Sequence, residues 1–157
     1  MDFKVILLDK TAGKYKNPVE KIIKKLHVFF KEKGVIEVYL VGARRMRFLN
    51  KKFRGKNKST NVLSFKNPDG FPGNNLGEVF LDPIYIHKQH TNSALSDFVL
   101  QQCKRAHANK NKKCALAFAY MTIHGVLHIL GYDHEKNSDR IEMEHEEVRL
   151  LRRISNS

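Results

Sequence analysis

Three histidines in one short segment restrict the local fold of this chain more than any other feature of its sequence. His124, His128 and His134 follow the spacing H-x-x-x-H-x-x-G-x-x-H. The first two are one helical turn apart, so a helix places both imidazoles on the same face. Gly131 adopts a left-handed backbone conformation at little steric cost and can end the helix. The spacing therefore predicts a helix, a reversal and a third imidazole that returns to the first two.

Three converging neutral imidazoles form a zinc-type site in which a fourth position stays open to water. Such an open position distinguishes a catalytic site from a structural one. A single pair of histidines at this spacing is a common coincidence, but here the turn glycine and the third histidine accompany it. We therefore predict one Zn²⁺ per chain, bound by His124, His128 and His134, although nickel, copper or iron would also suit imidazole ligands.

The residue after the first histidine limits the chemistry of this site. Zinc proteases with the pattern H-E-x-x-H use the glutamate at that position as their general base. Here the position is Gly125, which has no side chain. We therefore expect a metal site that lacks the proton acceptor of a protease, and the sequence leaves the general base unidentified.

The histidine segment resembles the signature of the YbeY family of ribosomal RNA maturation endoribonucleases. Two further blocks agree with the family in the same order, FRGKNKSTNVLSF at residues 53–65 and LGEVFL at residues 76–81. The resemblance implies a zinc-dependent, single-strand-acting endoribonuclease with the three histidines as ligands and Arg54 as the functional arginine. It also implies action on ribosomal RNA and the small ribosomal subunit, in 16S 3′-end maturation and ribosome quality control.

One segment departs from that resemblance. Residues 83–114 are longer and more basic than the family leads us to expect. The segment either widens the RNA contact surface or is a solvated insertion.

The charge of the chain independently indicates a polyanionic partner. Its 157 residues carry a formal net charge of +13. Residues 43–59 contain eight Lys or Arg and no acid, and residues 98–132 also lack acids. Because such tracts neutralise phosphates, we predict RNA as the partner and no membrane association. We assign RNA contacts to five cations of the first tract: Arg44, Arg45, Arg47, Lys51 and Lys56.

No segment has the character of a leader or a membrane span, because the longest early apolar run, residues 5–8, is too short for either. Cys103 and Cys114 lack the close spacing of a metal site, and we interpret them as reduced thiols. We therefore expect a cytoplasmic protein, whose oligomeric state the sequence does not specify.

Arg54 is the candidate catalytic residue. We predict that it lies in a glycine-containing loop, where a guanidinium fork stabilises the charge of a phosphoryl transition state. The alternative is that Arg54 is one more basic surface residue. Asp133 either orients a histidine or caps the turn before His134, and the role of Glu78 is equally open.

The predicted elements indicate an α+β fold with a single domain over residues 1–157. Strands are predicted at residues 3–8, 35–41, 60–65 and 76–81. Helices are predicted from an N-cap at Asn17 to a stop at Gly34, and at residues 43–53, 83–106 with a break near 91–93, 114–130 and 138–154. Residues 66–75 and 108–113 are predicted loops. We expect a small mixed sheet of about four strands packed with about five helices, with the metal site on the most apolar helix.

The residues admit more than one class of function. The first is a metal-dependent endoribonuclease acting on ribosomal RNA precursors. The second is a hydrolase of the metalloprotease type with a non-RNA substrate, against which Gly125 speaks. The third is a ribosome-associated binding protein whose metal is mainly structural.

Overall fold

A four-stranded mixed sheet forms the centre of the fold. The computed structural model describes residues 1–91 and 110–156, without the side chains of residues 90, 91, 110–113 and 156. The strand order is β1-β2-β4-β3, with β1, β2 and β4 parallel and β3 antiparallel to β4. The strands are β1 (Asp2–Leu7), β2 (Val35–Leu40), β3 (Val62–Lys66) and β4 (Asn75–Leu81).

Five α-helices accompany this sheet in the part of the chain that the structure describes, and a short 3₁₀ helix, Lys10–Tyr15, follows β1. None of these helices combines the length and the apolar composition that a membrane crossing requires. The predicted α+β class is confirmed, with its mixed sheet of four strands and, among the described residues, five α-helices. The helices are α1 (Lys16–His27), α2 (Ala43–Arg54), α3 (Pro83–Thr91), α4 (Lys110–Ile129) and α5 (Asn137–Asn156).

The two faces of the sheet carry different helices. Neighbouring residues in a strand point to opposite faces, and in β3 Val62 belongs to the large core whereas Leu63 belongs to a smaller cluster. The large core contains α1, α4 and α5, and the smaller cluster joins Leu63 to Met46 of α2. Helices α2 and α4 therefore lie on opposite faces of the sheet.

Helix α4 is the apolar centre of the larger layer. Its side chains are buried against the sheet and against its neighbours α1, α3 and α5, as expected for a helix that is apolar on most sides. Gly125 faces the sheet, where a Cβ atom would lie 2.8 Å from Val79 Cγ1 and 3.1 Å from Val62 Cγ2. The glycine therefore allows α4 to approach the strands more closely than a side chain would permit.

Several predicted boundaries are wrong. Asn17 is not a cap, because α1 begins at Lys16 after the 3₁₀ helix, with Tyr15 at the cap position. The helix ends at His27, so Gly34 does not stop it; Gly34 instead leads into β2, and its carbonyl accepts a bond from the amide of Asp2 at 2.8 Å. The hydrogen bond from Asp2 therefore connects Gly34 to β1 and not to the end of α1.

The segment after β4 is only partly described. The predicted helix from residue 83 is confirmed as far as Thr91, and the proposed break, Cys103 and the rest of that helix lie outside the described residues. Residues 110–113 were expected in a loop, but α4 already begins at Lys110. The helix formed by the apolar residues after Cys114 continues towards its N-terminus as far as Lys110, since each added residue gains a backbone hydrogen bond.

We predict that Gly125→Val destabilises the metal-free protein by about 1–3 kcal/mol, the usual effect of overpacking a core. The added methyl groups would meet Val79 and Val62 on the sheet. Ala115→Val is the control, because Ala115 is exposed on the same helix, and it should cost about 0.5 kcal/mol. Urea unfolding measures both, and equal effects of the two substitutions would contradict the close contact at Gly125.

Candidate metal centre

The end of α4 brings the three histidines together as the spacing predicts. His124 and His128 lie on α4, and the chain reverses at Gly131, which has a φ of +95°. The amide of Gly131 donates to the His128 carbonyl at 3.2 Å, and the amide of Tyr132 donates to Leu127 at 3.0 Å. These two bonds form a Schellman motif with its glycine in the expected place. The reversal delivers His134 to the two helical imidazoles.

The three rings face one another at short range. The Nε2 atoms of His124 and His128 are 3.2 Å apart, and the candidate ligand atoms of all three residues lie within 4.8 Å of one another. Among the described residues, this is the one group of three or more such side chains. Tetrahedral zinc with nitrogen ligands near 2.0–2.1 Å separates two of them by about 3.3 Å. The donor set and the helical pair therefore fit zinc.

A buried glutamate from α5 orients the first histidine of the cluster. Glu147 Oε1 lies 2.7 Å from His124 Nδ1, and the Glu147 residue is only 4% exposed. A carboxylate can only accept a hydrogen bond, so Nδ1–H of His124 donates this bond, and the Nε2 atom of His124 faces that of His128. Metal-binding histidines usually have such a partner, which sets their tautomer and orientation.

Sequence reasoning missed Glu147, although the sequence contained a signal. The buried face of α5 repeats at helical spacing through Met143, Leu150 and Ile154, and Glu147 lies on that same face. A carboxylate among apolar positions must have a buried partner, since burying an unpaired charge is costly. The sequence identifies the anomaly, but it does not identify the partner.

The environment of His128 favours the form that binds metal. Burial lowers the pKa of His128 below its usual value, and the neighbouring His124 and His134 lower it further. A hydrogen bond to the Tyr132 backbone and the charge of Asp133 act in the opposite direction without reversing the shift. The imidazole thus stays neutral to lower pH than an exposed histidine, as a metal ligand must.

The two carboxylates left open by the sequence do not join the cluster. Asp133 Oδ1 accepts the backbone amide of His134 at 2.7 Å, so Asp133 caps the turn. Glu78 alternates with Val79 along β4, and Val79 faces Gly125, so Glu78 lies on the sheet face away from α4. Burial and the nearby Glu37 raise the pKa of Glu78.

A cavity of about 300 Å³ opens beside the histidines. His124, His134 and Glu147 line it together with Tyr120, Arg140, Met143 and Glu144. His134 is exposed at its rim, and the other two histidines are half-buried. Position 125 cannot contribute a base to this cavity, because it faces the sheet.

Arg54 lies at the end of a helix, which corrects its predicted place in a loop. It is the last residue of α2, and Gly55 ends the helix with a φ of +68°. Arg54 is exposed and forms no hydrogen bond or ion pair within the part of the chain that the structure describes. The histidines are therefore not among its partners, and no other described residue binds its guanidinium.

The loop after Arg54 is held by side chains on both sides. Asn50 Nδ2 donates to the Lys58 carbonyl at 2.8 Å, and Ser59 Oγ donates to the buried Asp82 at 3.1 Å. The exposed Lys56 lies in this loop. These bonds fix the path of the chain from α2, on one face of the sheet, to β3.

The remaining predicted RNA contacts lie on α2, on the sheet face away from the histidines. Arg45 pairs with Asp9 at 3.1 Å, and Arg47 donates to Asn57 Oδ1 at 2.9 Å. Arg44 and Lys51 are exposed and have no ionic partner among the described residues. The structure thus brings the histidines together but keeps the basic helix apart from them.

A family model and individual relatives of known name point to the same family. The family model described as Endoribonuclease YbeY matches residues 8–155. A protein named Endoribonuclease YbeY from Buchnera aphidicola of Schizaphis graminum is 38% identical over 138 residues, which cover 84% of this chain and 74% of the relative. One of the same name from Wigglesworthia glossinidia brevipalpis is 37% identical over 130 residues, covering 82% and 76%.

A solved structure supports the same fold. The solution structure of a Thermotoga maritima protein aligns with a TM-score of 0.55 at 21% sequence identity. The alignment covers 98% of this chain and 89% of the other. At this identity the likeness concerns the fold alone.

We predict that Glu147→Gln lowers zinc affinity by about ten- to a hundredfold, because the amide no longer anchors His124 as an anionic acceptor. Glu146→Gln is the control, since Glu146 pairs with Arg149 rather than with a histidine. His128→Ala should lose most of the metal. Competition with a chromophoric chelator measures the affinities, and a parental value for Glu147→Gln would rule out the orienting role.

Proposed function

The chain belongs to the YbeY endoribonuclease family, and on that premise we propose that it is a zinc-dependent endoribonuclease of ribosomal RNA processing. Family membership makes it a nuclease, a hydrolase that cuts phosphodiester bonds in RNA. The proposed substrate is a single-stranded region of precursor 16S RNA at its 3′ end, within or beside the small ribosomal subunit. Maturation and quality control of that subunit are the proposed roles, in the cytoplasm.

The observation that carries this proposal is the histidine cluster with its buried glutamate. The cluster opens to a surface cavity, and His134 is exposed at the rim. A polymer can reach such a site without unfolding the protein. A purely structural metal would be closed off by a fourth protein ligand, and no fourth ligand joins the three histidines among the described residues.

The chain's own residues prepare the site for phosphodiester cleavage. Glu147 accepts a hydrogen bond from Nδ1 of His124, and burial lowers the pKa of His128, which favours its neutral imidazole. Zinc, when bound, supplies a Lewis acid that polarises a phosphoryl oxygen and acidifies water. Arg54 is proposed to add a bidentate guanidinium contact to the charge that develops on the phosphoryl oxygens.

Three features support Arg54 in that role. Its guanidinium is exposed and has no partner among the described residues, and it precedes a loop tied down by Asn50 and Asp82. A fixed loop reduces the cost of positioning the donor in the transition state. The third feature is the segment FRGKNKSTNVLSF, residues 53–65, which contains Arg54 and resembles the family's motif.

The protease alternative has little support from the fold. Position 125, where a zinc protease carries its base, packs against Val62 and Val79. The net charge of +13 also favours a polyanionic substrate over a peptide.

A direct test uses protein of known metal content with labelled precursor 16S RNA and with casein. We expect cleavage of the RNA and none of the casein, and no cleavage by His128→Ala. Casein digestion, or equal RNA cleavage by His128→Ala, would refute the proposed function.

We predict that Arg54→Lys slows RNA cleavage by about ten- to a thousandfold at saturating RNA, because lysine keeps the charge but loses the planar fork. Zinc content and RNA affinity should change little. Lys51→Ala should instead weaken binding modestly and leave the saturated rate nearly unchanged. Arg152→Lys, at an exposed position of α5, is the matched control. Single-turnover cleavage measures both quantities, and a parental rate for Arg54→Lys would reduce Arg54 to a binding residue.

A further inference from the structure

An exposed phenylalanine lies in the middle of the basic helix α2. The side chains of Met46 and Asn50 are buried and attach the helix to the sheet. Phe48 lies on the other side and is 62% exposed. It makes no ring contact with another described aromatic residue. The packing of the fold therefore does not account for this side chain.

The helix surrounds Phe48 with cations. Positions three and four residues away are neighbours on a helix surface, and for Phe48 these include Arg44, Lys51 and Lys52. All three are exposed and have no ionic partner in the part of the chain that the structure describes. Residues 43–59 contain no acid that would neutralise them. The surface that we call the α2 face thus consists of Phe48, Arg44, Lys51 and Lys52.

A second partly exposed aromatic, Phe53, lies further along α2, next to Arg54. Phe53 is 55% exposed, and Lys52 Nζ lies 5.2 Å from its ring centroid. Its ring also contacts Phe65 of β3 at 4.9 Å between centroids, so Phe53 is anchored to the sheet. Phe53 therefore lies on the side of α2 nearer the sheet and is not part of the α2 face, whose aromatic ring is that of Phe48.

Aromatic rings beside cations suit an unpaired nucleic acid strand. Bases stack on the rings while the cations neutralise the phosphates. A membrane would require a wider apolar face than one free phenyl ring provides. An acidic protein segment would use the cations but would gain less from an isolated flat ring.

Two carboxylates on the same face of the sheet restrict the path of a bound RNA strand. Glu37 and Glu78 lie on the same face as α2, and Tyr39 donates a hydrogen bond to Glu37 at 2.8 Å. These carboxylates repel phosphates from the open part of the sheet. An RNA strand held on the α2 face would instead follow the helix towards Arg54, its last residue.

We propose that the α2 face is a stacking site for unpaired bases of the RNA substrate, separate from the metal centre and on the opposite face of the sheet. Phe48 stacks a base, and Arg44, Lys51 and Lys52 hold the adjoining phosphates. This inference rests on the proposed function, since it assumes an RNA substrate. It adds a second contact that favours single strands long enough to reach both faces.

The test compares Phe48→Ala with the parent by fluorescence anisotropy on a labelled single-stranded oligouridylate. Loss of one stacked base should weaken binding about five- to 150-fold. The loss should vanish on an abasic ribose-phosphate strand of equal length, and Phe48→Trp should retain parental affinity. Phe71→Ala is the control, because Phe71 is 48% exposed in a loop outside the basic tract. Thermal unfolding establishes that each variant is folded.

The salt dependence of RNA affinity tests the three cations of the α2 face separately. Replacing Arg44, Lys51 and Lys52 together by Gln should reduce the slope of log affinity against log salt by about two units, whereas Phe48→Ala should leave the slope unchanged. Parental affinity of Phe48→Ala for the oligouridylate would overturn the inference, as would an equal loss on the abasic strand. Tight binding of polyglutamate that depends on Phe48 would identify a protein surface instead and also overturn it.

The cleavage assay separates this inference from the proposed function. If the parent cleaves precursor RNA while Phe48→Ala binds and cleaves it equally well, only the stacking site is wrong. If the parent neither binds nor cleaves RNA, the proposed function and the stacking site fall together.

Discussion

The close contact between α4 and the sheet at Gly125 is the constraint on which the metal centre depends. A Cβ atom at this position would collide with Val79, so the helix lies directly against the strands. Successive residues on a helix are rotated by about 100°, and the neighbouring His124 is therefore turned away from the sheet, towards α5. His128 follows one turn later on the same face. This packing contact thus sets the direction of two histidines of the cluster.

The carboxylate of Glu147 connects this packing to the chemistry. A buried charge is costly unless it is paired and hydrogen-bonded, and Glu147 meets that requirement through His124 at 2.7 Å. Helix α5 is docked by Met143, Leu150 and other apolar side chains of the same face. Packing of α5 therefore places the carboxylate of Glu147 beside His124, and the hydrogen bond between them orients the imidazole. The orientation of His124 therefore depends on the core as a whole.

The acid-rich segment of the chain and its first acid-free basic segment lie on opposite faces of the sheet. Residues 133–147 follow α4 and contain seven of the sixteen acids, and Glu144 and Glu147 line the cavity beside the histidines. The acid-free tract of residues 43–59 includes α2, on the opposite face. Acids near the histidines favour a cation, whereas the basic helix favours phosphates. In the function that we propose, the cations that attract RNA therefore lie apart from the residues that would hold the metal.

The sequence by itself determined the features that depend on local spacing. The histidine spacing and Gly131 specified a helix, a reversal and three converging imidazoles, because helical geometry and a left-handed glycine act within a few residues. The strands and the extent of α2 followed from the same local patterns, except that α2 includes Arg54. The start and end of α1 did not, because contacts with the 3₁₀ helix and the sheet set them. Only the tertiary structure paired His124 with Glu147, which is 23 residues away, and placed α2 and α4 on opposite faces. Those relations arise from helix and sheet packing, which a linear pattern does not specify.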